Sequence, residues 1–181
     1  MTEEILIAGF GGQGILMMGK VLAYSGILQG LEASWMPSYG PEMRGGTANV
    51  TVIISDEQIS SPILNSYDTV IALNQPSLDK FENKVKPGGI LIYEPNGITR
   101  HPSRKDISIY KINATEEAVK LGLSKVFNMF ILGGFLKIKP IVDLNYVHLA
   151  LEKSIPSHKA ELIQQNKEAI QLGFNLIQKV S

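Results

Sequence analysis

The sequence predicts an α/β protein of three layers, with a mostly parallel sheet and a helical C-terminal third. Three observations predict it. Short apolar runs bounded by glycine or proline alternate with stretches of helical spacing through residue 112. A glycine-rich turn, "GFGGQG", joins the first such run to the first helix. Beyond Ile112 the strand signals stop and only helical patterns follow. The 181 residues suffice for one domain with a full core, and no repeat, low-complexity stretch or linker divides them, so residues 1–181 are read as a single domain.

Glu4 to Ala8 is an apolar run ending at Gly9, the pattern of a strand buried on both faces. Ile15 to Leu28 has helical spacing, with Gly30 as its stop. Glu32 to Pro37 is a second strand ended by proline. Thr47 to Ser55 alternates Ala48, Val50, Val52 and Ile54 with Asn49, Thr51 and Ser55, so one face is expected to be more polar. Asp68 to Asn74 is another buried strand. Pro76 can open the helix that "SLDKFENKV" supplies. "PGGILIYE" reads as a turn and a strand, and Ile107 to Ile112 as the last strand. Asn113 or Thr115 can cap a helix through Ala118 and Leu121. "SKVFNMFILGGFLK" is a buried helix carrying the Gly133–Gly134 pair, and Asp143 caps "LNYVHLALEKSI". The tail from His158 to Val180 places Ile163, Ile170 and Ile177 on one face.

Lys and Arg total 17 and so do Asp and Glu, which leaves neither a basic surplus nor a basic run for nucleic acid. No apolar run approaches the ~20 residues of a membrane span, and the N-terminus lacks a secretion signal, so a cytoplasmic location is expected. There is no cysteine, hence no disulfide, thiol nucleophile or iron–sulfur cluster on this chain. His101, His148 and His158 have no metal-like spacing.

Gly9, Gly11 and Gly14 fit G-x-G-x-x-G, with Gly12 and Gln13 between them. Such a loop gathers backbone N–H groups at a helix N-terminus and suits an anion. It can hold a nucleotide phosphate, hold another anion, or only make a tight turn. Gly9 allows the exit from the strand, Gly11 and Gly12 admit a ligand closely, and Gly14 lets the helix pack on the strand. Dinucleotide binding asks for an acidic residue at the end of the second strand. That strand ends in Trp35-Met36-Pro37, and Glu32 lies at its start. The imitation of a P-loop, Gly14 to Lys20, is followed by Val21 and offers no hydroxyl to Mg²⁺. No catalytic constellation is present.

The second motif is "SYGPEMRGG", within a glycine- and proline-rich loop between two strands. Tyr39, Gly40, Pro41, Glu42, Met43, Arg44, Gly45 and Gly46 combine an aromatic, a Met and one Arg on permissive backbone, as in a loop that must fit closely against something. Arg44 can pair bidentately with a carboxylate or phosphate, or internally with Glu42.

"GFGGQG", "SYGPEMRGG" and "ALNQPSLDKF", in that order, resemble the γ subunit of 2-oxoacid:ferredoxin oxidoreductases over essentially the whole chain, the 2-oxoglutarate enzyme most of all. The resemblance implies a Rossmann-like unit that is not catalytic alone. It implies α and β partner subunits, with a ferredoxin-like δ subunit in some complexes and ferredoxin as acceptor. Thiamine diphosphate and the iron–sulfur clusters reside on the partners, and coenzyme A is the candidate ligand here. On that reading Gly9, Gly11, Gly12, Gln13, Gly14 and Arg44 face either a coenzyme A phosphate or a neighbouring subunit, and Tyr39 to Gly46 face a neighbouring subunit. The different class of reading is a free-standing nucleotide-binding or structural module.

Overall fold

The computed structural model describes residues 1–38 and 48–181. Seven strands form one sheet: β1 (Thr2–Gly9), β2 (Glu32–Ser38), β3 (Ala48–Ser55), β4 (Tyr67–Ala72), β5 (Val85–Tyr93), β6 (Ser108–Lys111) and β7 (Gln178–Lys179). Their order is β2-β3-β1-β4-β5-β6-β7. β1, β4, β5 and β6 pair in parallel. β3 is antiparallel to both β1 and β2, so β2 runs in the direction of β1. β7 closes the far edge antiparallel to β6. The sheet is therefore parallel at its centre, with one reversed strand toward each flank.

Six helices accompany it among the described residues: α1 (Ile15–Leu28), α2 (Gln75–Phe81), α3 (Ala114–Lys120), α4 (Phe127–Ile138), α5 (Leu144–Ser154) and α6 (Ala160–Leu176). Ile5 and Ile7 of β1 pack with the apolar residues of α1, α4, α5 and α6 on one face, while Leu6 and Ala8 pack with Leu78 and Phe81 of α2 on the other. This is why β1 reads as a continuous apolar run: both its faces are buried.

Local signals place most elements. α1 spans the expected residues, and Gly30 beyond it takes φ +88°. Pro76 lies in the first turn of α2, and Asn74 caps it, its Oδ1 accepting the Ser77 N–H at 2.8 Å. Other details differ. Thr51 and Ser55 of β3 are buried although the alternation suggests a polar face; β3 is internal to the sheet, and Ser55 Oγ meets Thr2 Oγ1 at 2.7 Å. The expected turn at Pro87-Gly88-Gly89 is absorbed within β5 as an irregularity, where pairing steps from Tyr67↔Val85 to Thr69↔Ile90 and Gly88 adopts φ +78°. Asn113 and Asp143 occupy cap positions without a side-chain capping bond. The Asp143 N–H instead donates to Gln29 Oε1 at 2.7 Å, joining α5 to the end of α1.

The Gly133–Gly134 pair is a contact device. A Cβ on Gly133 would lie 2.0 Å from the Ile170 carbonyl oxygen, and one on Gly173 would lie 2.0 Å from that of Phe130. α4 and α6 thus touch backbone to backbone. Ile170 is fully buried at this seam, with Ile163 and Ile177 partly buried beside it.

Candidate functional site

The glycine loop leaves β1 where the chain's path divides: β2 and β3 are added on one side of β1, β4 to β6 on the other. The carboxyl ends of parallel strands at such a switch point form a crevice where α/β proteins bind ligands. Gln13 holds the loop there. Its Oε1 accepts the Phe10 N–H at 2.6 Å, and its Nε2 donates to the Leu73 carbonyl, just past β4, at 3.3 Å. The Gln13 N–H closes the turn on the Phe10 carbonyl at 3.2 Å. Gln13 is therefore a strut between the ends of β1 and β4, with its remaining surface in the cleft.

The glycines divide by role. A Cβ on Gly9 would meet Gln13 Oε1 at 2.5 Å, so Gly9 admits the strut. Gly11 and Gly12 face open space. Gly14 takes φ +72° and begins α1, and its missing side chain makes room for Asn128 of α4, whose Nδ2 donates to the Gly14 carbonyl at 3.0 Å. Gly14 thus packs against a helix 114 residues away, not against the strand. The N–H groups of Gly11, Gly12 and Gly14 make no hydrogen bond to a described residue, and α1 has no acidic residue in its first turn. This end of the helix is electropositive.

Arg44 and the segment from Tyr39 to Gly46 lie outside the described residues. Their flanks are described: Ser38 pairs with Asn49, and Ala48 pairs with Gly9. The segment's two ends therefore stand at the same end of the sheet as the glycine loop. Glu32 pairs with Ser55 at the opposite end. Because β3 separates β2 from β1, an acidic residue on β2 would stand about 10 Å from the first strand, not beside it as dinucleotide binding requires. The P-loop imitation is helix: Gly19 lies in α1, where a Cβ would meet Val50 at 2.8 Å.

A cleft of about 310 Å³ opens beside the loop, between Gly12 to Met17, the turn from Ser124 to Asn128, and α6. Sequence reasoning missed its two buried carboxamides, Asn128 and Asn166, each a polar residue within an otherwise apolar helical face. Across the crest of β5 lies Glu94, 2 % exposed. Burial raises its pKa above the ordinary carboxyl value, opposed by hydrogen bonds from Thr115 and from the Asn96 N–H at 3.1 Å. His101 and His158 are exposed, and His148 is half-buried on α5, where burial holds its pKa below the usual imidazole value. Among the described residues no group of three or more His, Cys, Asp or Glu side chains could hold a metal, and no helix is long and apolar enough to cross a membrane.

A glycine turn at the switch point of a parallel-centred sheet, with a cleft beside it, defines a Rossmann-like unit. The chain belongs to the pyruvate ferredoxin/flavodoxin oxidoreductase family, whose profile matches residues 4–176. It is 36% identical over 184 residues to the 2-oxoglutarate synthase subunit KorC of Methanothermobacter marburgensis, covering 98% of this chain and 97% of that one. It is 43% identical over 130 residues to the ketoisovalerate oxidoreductase subunit VorA of Methanothermobacter thermautotrophicus, but spans only 27% of that protein's length. The γ subunit of a keto/oxoacid ferredoxin oxidoreductase from Geobacter sulfurreducens superposes with a TM-score of 0.85 at 28% identity, covering 97% of this chain and 96% of that one. The 2-oxoglutarate:ferredoxin oxidoreductase of Magnetococcus marinus, solved with 2-oxoglutarate, coenzyme A and succinyl-CoA bound, gives 0.87 at 25% identity over 97% of this chain and 31% of that one. The same unit therefore occurs both as a separate subunit and within a longer chain.

Proposed function

We propose that this chain is the γ subunit of a cytoplasmic, multisubunit 2-oxoacid:ferredoxin oxidoreductase, with 2-oxoglutarate as the 2-oxoacid. The complex decarboxylates the 2-oxoacid oxidatively, joins the acyl group to coenzyme A, and releases carbon dioxide and reduced ferredoxin. The observation that carries this reading is the match to KorC along nearly the full length of both chains. α and β subunits, and a ferredoxin-like δ subunit, are the partners; they hold thiamine diphosphate and the iron–sulfur clusters, for which this chain has no cysteine ligands. Its own part is to position coenzyme A and to dock on its partners through the carboxyl end of the sheet. The open N–H groups of Gly11, Gly12 and Gly14 and the fixed charge of Arg44 suit a phosphate or a partner carboxylate.

The test is copurification from the native cell, followed by assay. The complex reduces a viologen dye with 2-oxoglutarate and coenzyme A, and the isolated chain does not. Reduction by the isolated chain, or recovery of the chain with no oxidoreductase subunits, would sink the reading. Faster turnover of 2-oxoisovalerate or pyruvate than of 2-oxoglutarate would overturn the substrate alone. Micromolar binding of NAD, FAD or ATP by the isolated chain would favour the free-standing nucleotide-binding module. Arg44→Ala is expected to leave the melting temperature of the isolated chain unchanged and to cost about 2–5 kcal/mol in assembly or coenzyme A use, the penalty of an unpaired buried charge. A lower melting temperature with normal assembly and normal KM would make Arg44 an internal strut.

A further inference from the structure

The structure assigns a second contact surface to this chain, away from the glycine loop. It is the basic face where the end of α2 meets the β5–β6 connection, and Lys80, Lys84 and Lys105 on it receive an acidic surface of a partner subunit. The inference rests on the chain being one subunit of a larger complex.

The connection from β5 to β6, residues 94–107, contains neither helix nor strand, yet its backbone is fixed at several points. Gln75 Oε1 accepts the Thr99 and Arg100 N–H groups, each at 2.8 Å. Glu82, 4% exposed, accepts the N–H groups of Ser103 and of Arg104, the latter at 3.1 Å. The Gly88 N–H donates to the Asp106 carbonyl at 2.7 Å. Arg104 Nη1 donates to the carbonyls of Glu82 and Val85 at 3.2 and 2.8 Å. The connection is thereby strapped to α2 and to the start of β5. A surface segment held in this way presents its outer side chains in one arrangement before anything binds, which removes much of the ordering cost of docking.

The same bonds sort the charges of this face. Asp79 and Glu82 meet Arg100 at 3.0 and 2.8 Å, and Asp106 meets Arg104 at 2.5 Å. The carboxylates are thus engaged by the arginines that hold the strap. Lys80, Lys84 and Lys105 are exposed, and none forms an ion pair among the described residues. Lys80 Nζ lies 5.2 Å from the centroid of the Phe81 ring, a contact that places the ammonium without neutralising it. Lys84 stands between Glu82 and Val85, whose carbonyls Arg104 grips, and Lys105 follows Arg104, so both lysines flank one anchor. Lys86, a little further on, is by contrast taken by Glu4 and Asp68.

Uncompensated cations on a preformed face, in a chain of zero formal charge, call for an anionic partner. The face is short, bounded by Asp79 and Asp106, whereas a nucleic acid asks for a longer basic track along its repeating phosphates. A few carboxylates on a protein surface match it. Exposed charges of this kind steer association and set its salt dependence.

The experiment reconstitutes the complex from this chain and its remaining subunits. A carbodiimide, which joins an amine to a carboxylate in contact with it, is expected to link Lys84 or Lys105 to an Asp or Glu of a partner subunit, read by mass spectrometry of the joined peptides. Lys84→Glu combined with Lys105→Glu should slow association about tenfold at low salt. The difference should vanish at high ionic strength, with the KM for coenzyme A in the assembled enzyme unmoved. Absence of a link from either lysine to a partner overturns the surface, as does a double variant that associates at the wild-type rate at low salt. Links only between two copies of this chain, or duplex DNA that binds the wild type and not the variant while association is unchanged, overturn it in favour of another occupant. The linking uses the wild type, so it decides even if the double variant does not fold. A complex that assembles but oxidises no 2-oxoacid would sink the proposed function and leave the links standing, so the two failures are distinguishable.

Discussion

The two ends of the sheet treat their polar groups in opposite ways. At the amino end they are tied to one another. Lys86 Nζ reaches Glu4 at 2.5 Å and Asp68 at 2.8 Å, and the Glu4 N–H donates to Asp68 at 2.9 Å. Glu3, 4% exposed, accepts from the Thr69 hydroxyl at 2.6 Å and from Lys139 at 3.2 Å. At the carboxyl end the N–H groups of Gly11, Gly12 and Gly14 make no hydrogen bond to a described residue. Charges joined across β1, β4, β5 and the end of α4 tie the amino end together; on the proposed reading, the groups left open at the other end face a ligand or a partner. A residue's chemistry alone does not separate these roles.

The comparison breaks most sharply at Gly14. Gly14→Ala puts a Cβ at φ +72° and within 2.5 Å of Asn128 Nδ2. Left-handed strain and overpacking together cost about 3 kcal/mol, read as a lower melting temperature of the isolated chain. Gly12→Ala serves as the control. It meets the same backbone restriction at φ +89° but open space, so it costs about 1 kcal/mol. Equal losses in the two would mean that the Asn128 contact contributes nothing.

At the amino end, Glu3→Ala leaves the fully buried Thr69 hydroxyl without its acceptor and Lys139 without its carboxylate. The expected loss is about 2 kcal/mol, since Lys139 is partly exposed and its share is screened. The KM for coenzyme A should not move. A raised KM with unchanged stability would show that the amino end also serves the ligand.

The smallest effect sharpens the comparison through pH. Burial raises the pKa of Glu94 in the folded chain above its unfolded value. Between those two values the folded state holds the extra proton, so stability falls as pH rises through that window and stays lower above it. Glu94→Gln has no proton to lose. Its melting temperature should exceed that of the wild type at pH 8, and the gap should close in acid below the unfolded carboxyl value. Parallel melting curves across pH would show that hydrogen bonds from Thr115 and Asn96 offset the burial.

Features written in neighbouring residues are legible in the sequence by itself. α1 runs from Ile15 to Leu28 as its spacing and Gly30 require, because helix periodicity and a glycine stop act over a few residues. The glycine loop, the buried strands β1 and β4, and the absence of an acidic residue at the end of β2 are readable for the same reason. What depends on distant parts of the chain is not. β7 is two residues, Gln178 and Lys179, with no strand pattern; it pairs with β6 only because α6 delivers it there. β3 is buried at nearly every position, with Ala48, Val50, Val52 and Ile54 packed with the helices on one face. Asn128 and Asn166 look like ordinary polar residues on helices, and they line one cleft only where the bare Cα of Gly14 lets α4 approach the loop and where Gly133 and Gly173 bring α6 against α4. Backbone contacts between residues tens of positions apart set that cleft, and no local pattern encodes which residues will line it.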